Sequence, residues 1–417
     1  MTTSDDPVAG APPSVVLGVG GGIAAYKAAE LLRRLRAHGC DVTVVPTRAA
    51  LRFVGEPTWS ALSGKPVSAE VWDDVHEVPH VRLGQQAALV VIAPATADLL
   101  ARAAQGLADD LLGNVLLTAS CPVVMAPAMH TEMWEHAATQ ANVATLRSRG
   151  IIVLDPAVGR LTGADSGPGR LPEPDAIAEV CFAVLAGSKT DLIGTQVLIS
   201  AGGTREALDP VRFLGNRSSG KQGYALATRA LARGATVTLV SANVDLPAPA
   251  GAAVVSVESA QDLHDAMMAH SHDCDVIVMA AAVADFRPRH VAGYKMKKQD
   301  DGPAPTIDLE RTTDVLAELV TSRGARPTPL IVGFAAETGD EHGDVLAHGQ
   351  AKLVRKGCDL LVVNDVSAGQ VFGRDDNAVV ILNRDGTSTV VGSASKTDIA
   401  DAVLDVIVGQ LLVNAAP

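Results

Sequence analysis

Short, near-continuous aliphatic runs alternate with amphipathic stretches along almost all of this 417-residue chain. In the first half the runs fall at 15–19, 41–45, 88–93, 122–126 and 151–154. Between the first two, residues 24–38 set Ala28, Leu31, Leu32 and Leu35 at helical spacing, and Gly39 offers a left-handed stop. Strands that are apolar throughout need cover on both faces, so the pattern predicts a parallel sheet between helical layers. After a helix at 175–185 and a polar, Gly-containing break at 187–195, the pattern restarts. Strands are expected at 197–201, 237–241, 275–281, 330–334 and 359–363. Arg384-Asp385-Gly386 joins 378–382 to 387–391 as a hairpin, and Ser395 caps a last helix at 395–412, with Asp398 three residues on. The expected fold class is α/β, with two doubly wound Rossmann/flavodoxin-like parallel-sheet domains in tandem, 1–188 and 189–417. The length agrees, at roughly 150 residues per domain.

Composition narrows the function. Apolar residues make up 47% of the chain, enough to fill two cores and to exclude disorder as the main theme. The net charge of −13 and the 3% aromatic content argue against a nucleic-acid partner, which needs a basic face or a stacking surface. No apolar run reaches the ~20 residues that span a bilayer, and the first residues lack a basic-then-apolar signal pattern, so no membrane partner and a cytoplasmic location are expected. Cys40, Cys121, Cys181, Cys274 and Cys358 are scattered without a C-x-x-C pair and read as small buried hydrophobes.

In open α/β sheets ligands bind beyond the carboxyl ends of the strands. After the first run comes Gly18-Val19-Gly20-Gly21-Gly22-Ile23-Ala24-Ala25-Tyr26-Lys27. Either G-x-G-x-x-G register fails at its third glycine, with Ile23 or Ala25 there, and the second run ends in Pro46-Thr47-Arg48 without a ribose-binding acid. A dinucleotide is thus disfavoured, and a mononucleotide phosphate held by glycines and Thr47 fits better. Thr96 either donates to that phosphate or caps the next helix. Met129, His130 and Trp134 after the fourth run look like a pocket wall. His80 either orients a carboxylate and shuttles a proton or is a hydrogen-bonded surface residue.

G-G-I-A-A-Y-K, H-x-x-L, A-P-A-T-A-D and P-A-M-x-x-x-M-W together resemble the flavin-dependent cysteine decarboxylases. Within them they resemble the decarboxylase half of the bifunctional phosphopantothenoylcysteine decarboxylase/phosphopantothenate–cysteine ligases of coenzyme A synthesis. The resemblance implies FMN as cofactor, bound by Gly21, Gly22, Ile23, Ala24, Thr47, Ala95, Thr96, Ala126 and Met129, with His80 and His130 catalytic. Flavin chemistry at the cysteine thiol would create the electron sink that decarboxylation requires. Two residues depart from the pattern. His130 stands where the family carries asparagine, and the flap at 161–170 ends in Gly167-Pro168-Gly169-Arg170 but holds no cysteine. Another proton donor, or an active ligase joined to an impaired decarboxylase half, are the two readings of that loss.

In the second half, Gly202-Gly203-Thr204-Arg205-Glu206 and the loop 214–223 combine glycines, hydroxyls and an amide before a helix start, which suits an anion. An ordinary phosphate-binding loop fails because Gln222 replaces the magnesium-binding Ser/Thr. Asp285 beyond the 275–281 run either holds a divalent ion or caps a helix. Lys295 belongs to the basic cluster Tyr294-Lys295-Met296-Lys297-Lys298, and Lys352 and Lys356 share one helix face, where they meet phosphates or favour the helix terminus.

A-G-x-T-R-E-x-x-D-P-V-R, N-x-S-S-G-K-x-G, A-A-V-A-D-F, K-M-K-K, V-G-F-A-A-E-T and N-D-V resemble the ligase half of the same family. That implies activation of the carboxylate of 4′-phosphopantothenate by CTP as an acyl-cytidylate, followed by attack of the cysteine amine. By resemblance Asn216 holds the acyl intermediate, Lys295 stabilises charge, and Asp285 binds Mg2+ or Mn2+ with CTP. Met279, Ala280, Ala281, Asp285, Lys295, Thr313, Asp314, Val315, Leu316, Phe334, Lys352 and Lys356 line the nucleotide site. The family's habit of trimeric decarboxylase and dimeric ligase contacts implies a homo-dodecamer.

Overall fold

The computed structural model describes residues 12–69, 79–160, 166–187, 189–296, 306–337, 345–365 and 376–415. The chain divides into two compact units, Met1–Ile193 and Gly194–Pro417. The division falls five residues beyond the expected 188/189 break (193 − 188), and Ile193 accordingly lies near Gly150 of the first unit.

The first unit runs β1 (Ser14–Val19), α1 (Ala25–Ala37), β2 (Asp41–Pro46), α2 (Glu56–Ser63), α3 (Pro79–Gln86), β3 (Leu89–Ala95), α4 (Ala97–Gln105), α5 (Leu111–Thr118), β4 (Val123–Pro127), α6 (Thr131–Glu135), α7 (Ala137–Ser148), β5 (Ile152–Val153), β6 (Ala157–Arg160), β7 (Ser166–Arg170) and α8 (Pro174–Leu185). Its five-stranded sheet has the order β2-β1-β3-β4-β5, parallel throughout. Every residue of β3 is buried, as a strand covered on both faces must be. Ala28, Leu31, Leu32 and Leu35 are the buried stripe of α1, and Gly39 takes φ +88° just past its end. The order reverses between β1 and β3, which opens a crevice at their carboxyl ends.

The second unit runs β8 (Gln196–Gly202), β9 (Arg205–Ala207), β10 (Phe213–Gly215), α9 (Lys221–Ala232), β11 (Thr236–Ala242), β12 (Ala252–Val257), α10 (Ala260–His270), β13 (Val276–Met279), β14 (Phe286–Pro288), β15 (Leu309–Arg311), α11 (Val315–Arg323), β16 (Leu330–Glu337), α12 (Val345–Lys356), β17 (Leu360–Asp365), β18 (Asp376–Asn383), β19 (Ser388–Ser395) and α13 (Lys396–Ala415). Its eight-stranded sheet has the order β12-β11-β8-β13-β16-β17-β18-β19. Pairing is parallel up to β17 and antiparallel beyond it. Here the switch point lies between β8 and β13. The β18–β19 turn forms because Asp385 Oδ1 accepts from the Thr387 N–H at 2.8 Å and Gly386 takes φ +90°.

Three small antiparallel pairs lie outside the expected pattern: β6–β7, β9–β10 and β14–β15. The expected 275–281 strand ends at Met279, so Ala280 and Ala281 belong to the loop beyond it. All five cysteines are free; Cys40, Cys181 and Cys358 are buried, while Cys121 and Cys274 are half-buried. Burial pushes the Cys274 and Cys358 thiols up to about 11, which makes them inert packing groups rather than nucleophiles. No described helix is long and apolar enough to cross a membrane.

Candidate functional site

In the first unit the crevice at the β1/β3 switch point is a cleft of about 1030 Å3. Four chain segments close on it because glycines let them approach. Gly20 N–H donates to the Pro94 carbonyl at 3.0 Å, and a Cβ on Gly20 would stand 2.4 Å from that oxygen. A Cβ on Gly21 would stand 2.3 Å from the Ala49 Cβ, whereas one on Gly22 would meet nothing nearer than 3.9 Å. Gly20 and Gly21 therefore serve the packing of the loop, and Gly22 leaves space in the cleft. Thr47 is buried, and its Oγ1 accepts from the Ala50 N–H at 3.1 Å. Thr96 caps α4 by accepting from the Leu99 N–H at 3.3 Å. Each bond uses an oxygen lone pair, so each hydroxyl keeps its proton to donate. The two roles weighed for Thr96 are thus compatible.

Of the residues expected at this site, Gly21, Gly22, Ile23, Ala24, Thr47, Thr96, Met129 and His130 line the cleft. Ala95 and Ala126 do not: both are fully buried in β3 and β4, and the lining falls to Pro94 and Thr96 on either side of Ala95 and to Ala128 beyond the end of β4. Side chains alternate along a strand, so a one-residue step moves a position from the mouth into the core. His80 lies in the first turn of α3, its side chain outside the described residues. The β6–β7 hairpin lies over the rim, where the Met129 N–H donates to the Gly169 carbonyl at 3.0 Å and Arg160, Gly169 and Arg170 complete the wall. Residues 161–165 of the expected flap lie outside the described residues. Lys27, Arg48, Arg102 and Arg170 also line the cleft. Lys27 ends the glycine motif, and that adjacency was the available signal.

In the second unit the loop after β8 is bolted to the loop after β13. Gly202 takes φ +89°, and a Cβ there would stand 2.0 Å from the Ala242 carbonyl oxygen. Thr204 N–H donates to the Ala282 carbonyl at 3.1 Å, and the fully buried Thr204 Oγ1 accepts from the Ala284 N–H at 2.9 Å. Asn216 donates through Nδ2 to the Val283 carbonyl at 3.1 Å, two residues from the exposed Asp285. The Asp285 carbonyl accepts from Thr312 N–H at 3.1 Å, which extends the β14–β15 pairing by one step. Arg205 stacks over the Phe213 ring at 4.6 Å, which braces β9–β10.

One buried carboxylate organises this region. Asp209 accepts from the Val211 and Arg212 N–H groups, each at 2.8 Å, from Arg212 Nη2 at 2.6 Å and from the Met296 N–H at 3.1 Å. Arg212 in turn donates to the Met296 carbonyl at 2.7 Å. The Arg212 guanidinium holds the Asp209 carboxyl well below the usual range, with the backbone donors adding to it. The neighbour of Met296 is the exposed Lys295, whose backbone is fixed by this network. Asp209 and Arg212 were visible as a motif, but not as the clamp that sets Lys295.

The expected nucleotide residues divide. Ala280 and Ala281 directly follow the end of β13, and Asp285 is linked through its carbonyl to Thr312, the neighbour of Thr313. Met279 and Val315 are core residues, 5% and 2% exposed, and the half-buried Leu316 packs against that core. Asp314 caps α11 by accepting from the Ala317 N–H and pairs with Lys356 of α12. Phe334 follows Gly333, which faces Leu316, so alternation turns the phenyl ring to the opposite side of the sheet from that pair. Lys352 is half-buried on α12. Lys297 and Lys298 lie outside the described residues. Among the described residues no group of three or more His, Cys, Asp or Glu could hold a metal ion.

A flavodoxin-order sheet followed by a Rossmann-order sheet defines a tandem flavoprotein-type fold. Residues 7–186 match the Flavoprotein family, and residues 192–411 match the DNA/pantothenate metabolism flavoprotein C-terminal domain. The chain is 58% identical over 404 residues to the coenzyme A biosynthesis bifunctional protein CoaBC of Mycobacterium tuberculosis, covering 95% of this chain and 96% of that one. It belongs to this CoaBC family, the bifunctional enzymes of coenzyme A biosynthesis that join a decarboxylase to a ligase. Among solved structures, the C-terminal domain of a CoaBC protein is similar at 36% identity over 54% of this chain and 98% of that one (TM-score 0.45). A PPC decarboxylase mutant complexed with pantothenoylaminoethenethiol is similar at 28% identity over 41% of this chain and 97% of that one (TM-score 0.38).

Proposed function

We propose that the first unit decarboxylates phosphopantothenoylcysteine to 4′-phosphopantetheine with FMN, and that the second makes phosphopantothenoylcysteine from 4′-phosphopantothenate, cysteine and CTP. The observation that carries the reading is the β1/β3 cleft. Its volume of about 1030 Å3 matches the size of cofactor pockets, and Gly22 opens backbone to it. The hydroxyls of Thr47 and Thr96 converge on it, a donor set that fits a phosphate. FMN held there supplies the two-electron chemistry that lets a cysteine carboxylate leave as carbon dioxide. Gly21, Gly22, Ile23 and Ala24 present the backbone of the β1–α1 loop, while Met129 walls the cleft. His130 offers an imidazole N–H to the substrate carboxylate, and His80 keeps the catalytic role the family resemblance assigns it. Gly169 and Arg170 of the flap line the cleft beside Met129, which favours a working decarboxylase over an impaired one.

In the second unit a carboxylate must acquire a good leaving group before an amine can displace it. Asn216 holds the acyl-cytidylate, and Lys295, set by the Asp209–Arg212 clamp, offsets charge as pyrophosphate departs. Asp285 is the residue that would hold Mg2+ or Mn2+, whose positive charge would offset the negative charge of the nucleotide phosphates. The cysteine amine then forms the amide, and CMP leaves. A cytoplasmic location and the dodecamer belong to the same proposal and rest on the family resemblance; light scattering measures the assembly.

The test mixes the protein with CTP, magnesium, 4′-phosphopantothenate and cysteine and reads the products by mass. Phosphopantetheine is expected, with pyrophosphate and carbon dioxide released, and the purified protein should absorb near ~450 nm from bound flavin. A colourless protein that consumes no CTP would overturn both halves of the reading.

A further inference from the structure

Two of the cations that line the decarboxylase cleft are held by one carboxylate that does not line it. Lys27 of α1 donates through Nζ to both carboxylate oxygens of Glu173, at 2.9 and 3.1 Å, and Arg170 of β7 donates through Nη2 to Oε1 at 3.2 Å. The Lys27 side chain is only 17% exposed, whereas Glu173 is 60% exposed. Lys27 and Arg170 line the cleft, whereas Glu173 lies outside its lining. Arg160, across the same hairpin, lines the cleft as well. The two cations outweigh Glu173 by one charge (2 − 1) in a chain whose net charge is −13. An ammonium has three donors and a guanidinium five, so the bonds to Glu173 leave both groups with donors for a second anion.

We propose that Lys27 and Arg170, tied by Glu173, form a subsite for the phosphomonoester end of the decarboxylase substrate, distinct from the glycine-and-hydroxyl site at Gly22, Thr47 and Thr96. The inference rests on the decarboxylase reading above and adds to it the group that recognises the substrate's far end. A phosphomonoester carries about −1.5 to −2 at neutral pH, opposite in sign to the two cations. The bidentate fork of Arg170 suits its geometry, and Lys27 adds a point charge. Because Arg170 sits on the hairpin over the rim, an anion bridging it to Lys27 also draws β7 toward α1. Glu173 competes with that anion for the same donors.

The experiment uses the full-length, flavin-loaded protein and calorimetric titration with 4′-phosphopantetheine and with pantetheine. Lys27→Met and Arg170→Gln should each weaken the phosphorylated ligand by roughly tenfold, as expected for loss of one charge-assisted contact. Pantetheine binding and flavin content should stay unchanged, which also shows that the variants fold. Glu173→Gln should tighten the phosphorylated ligand alone. Equal weakening of both ligands, or unchanged affinity for the phosphorylated one, would overturn the subsite. Loss of flavin from Lys27→Met would assign that lysine to the cofactor phosphate and overturn it too. A wild-type protein that holds no flavin at all would instead sink the decarboxylase reading, and the subsite with it.

Discussion

On the function proposed above, the two units meet the same demand, a phosphate-bearing ligand at a sheet switch point, by different means. In the first, backbone does most of the work. The order β2-β1-β3-β4-β5 splits the sheet beside β1, and glycines at 20 and 21 let the loop close against Pro94 and Ala49. In the second, the order β12-β11-β8-β13-β16-β17 places the split between β8 and β13, but the mouth is furnished by long loops and two-stranded ribbons. Buried side chains must hold those loops, and Asp209 and Thr204 do so. A backbone-built site tolerates side-chain change and fails on added volume. A side-chain-bolted site fails when one hydrogen-bonding group is removed.

The largest expected effect tests the second half of that contrast. Asp209→Asn keeps the shape but removes the charge that holds Arg212 and the segment bearing Lys295, and a misplacement on the order of 1 Å costs about 10²-fold in turnover. Ligase turnover should fall by that factor while decarboxylation of added phosphopantothenoylcysteine is unchanged; equal loss in both assays would break the comparison. Next comes Gly21→Ala. Its methyl group would stand 2.3 Å from the Ala49 Cβ, and overpacking of this kind costs about 1–3 kcal/mol. Flavin retention after dialysis should fall about tenfold, since 1.4 kcal/mol is a factor of ten. The ligase should be untouched.

Thr96→Ala should lower the stability of the first unit by about 1 kcal/mol through loss of the α4 cap, measured by denaturant titration. Thr96→Ser keeps the oxygen and should restore it. The smallest effect is a pH dependence in the second unit. His264 of α10 contacts Asp265 at 2.8 Å and Glu318 of α11 at 3.1 Å. Burial opposes its charge, yet the hydrogen bonds to Asp265 and Glu318 prevail and its pKa is raised. A raised value stabilises the fold fully below the ordinary histidine pKa of about 6.5, and that contribution fades as pH rises through the folded value. The second unit should therefore lose a little stability above neutrality, and His264→Gln should flatten that slope. Asp209 has the opposite sign: its contribution is complete above about pH 4, the ordinary carboxylate value, and is lost only as acid protonates it.

Much of the architecture was legible along the chain. The runs at 15–19, 41–45 and 88–93 lie within or next to β1, β2 and β3, because a strand buried on both faces must be written in aliphatic residues. The hairpins β6–β7, β9–β10 and β14–β15 were not. Each strand is three to five residues long, and β7 reads Ser-Gly-Pro-Gly-Arg, with no alternation to betray it. Ala95, Ala126, Met279 and Val315 sit inside recognisable motifs yet face the core. A motif marks a stretch of chain, whereas which residue of it meets a ligand depends on strand phase and on where the strand stops.

Taken alone, the order of residues determined the alternation of strands and helices, the restart that makes two units, and the glycine and threonine chemistry at the strand tips. These are local matters, set by periodicity, backbone freedom and the need to bury apolar faces. Tertiary structure decided the order of strands in each sheet, the clamp from Asp209 to the Lys295 segment, and the meeting of Lys27 with Arg170 across 143 residues (170 − 27) at Glu173. Those depend on which distant segments share a sheet edge or a loop cluster, and no local propensity encodes that.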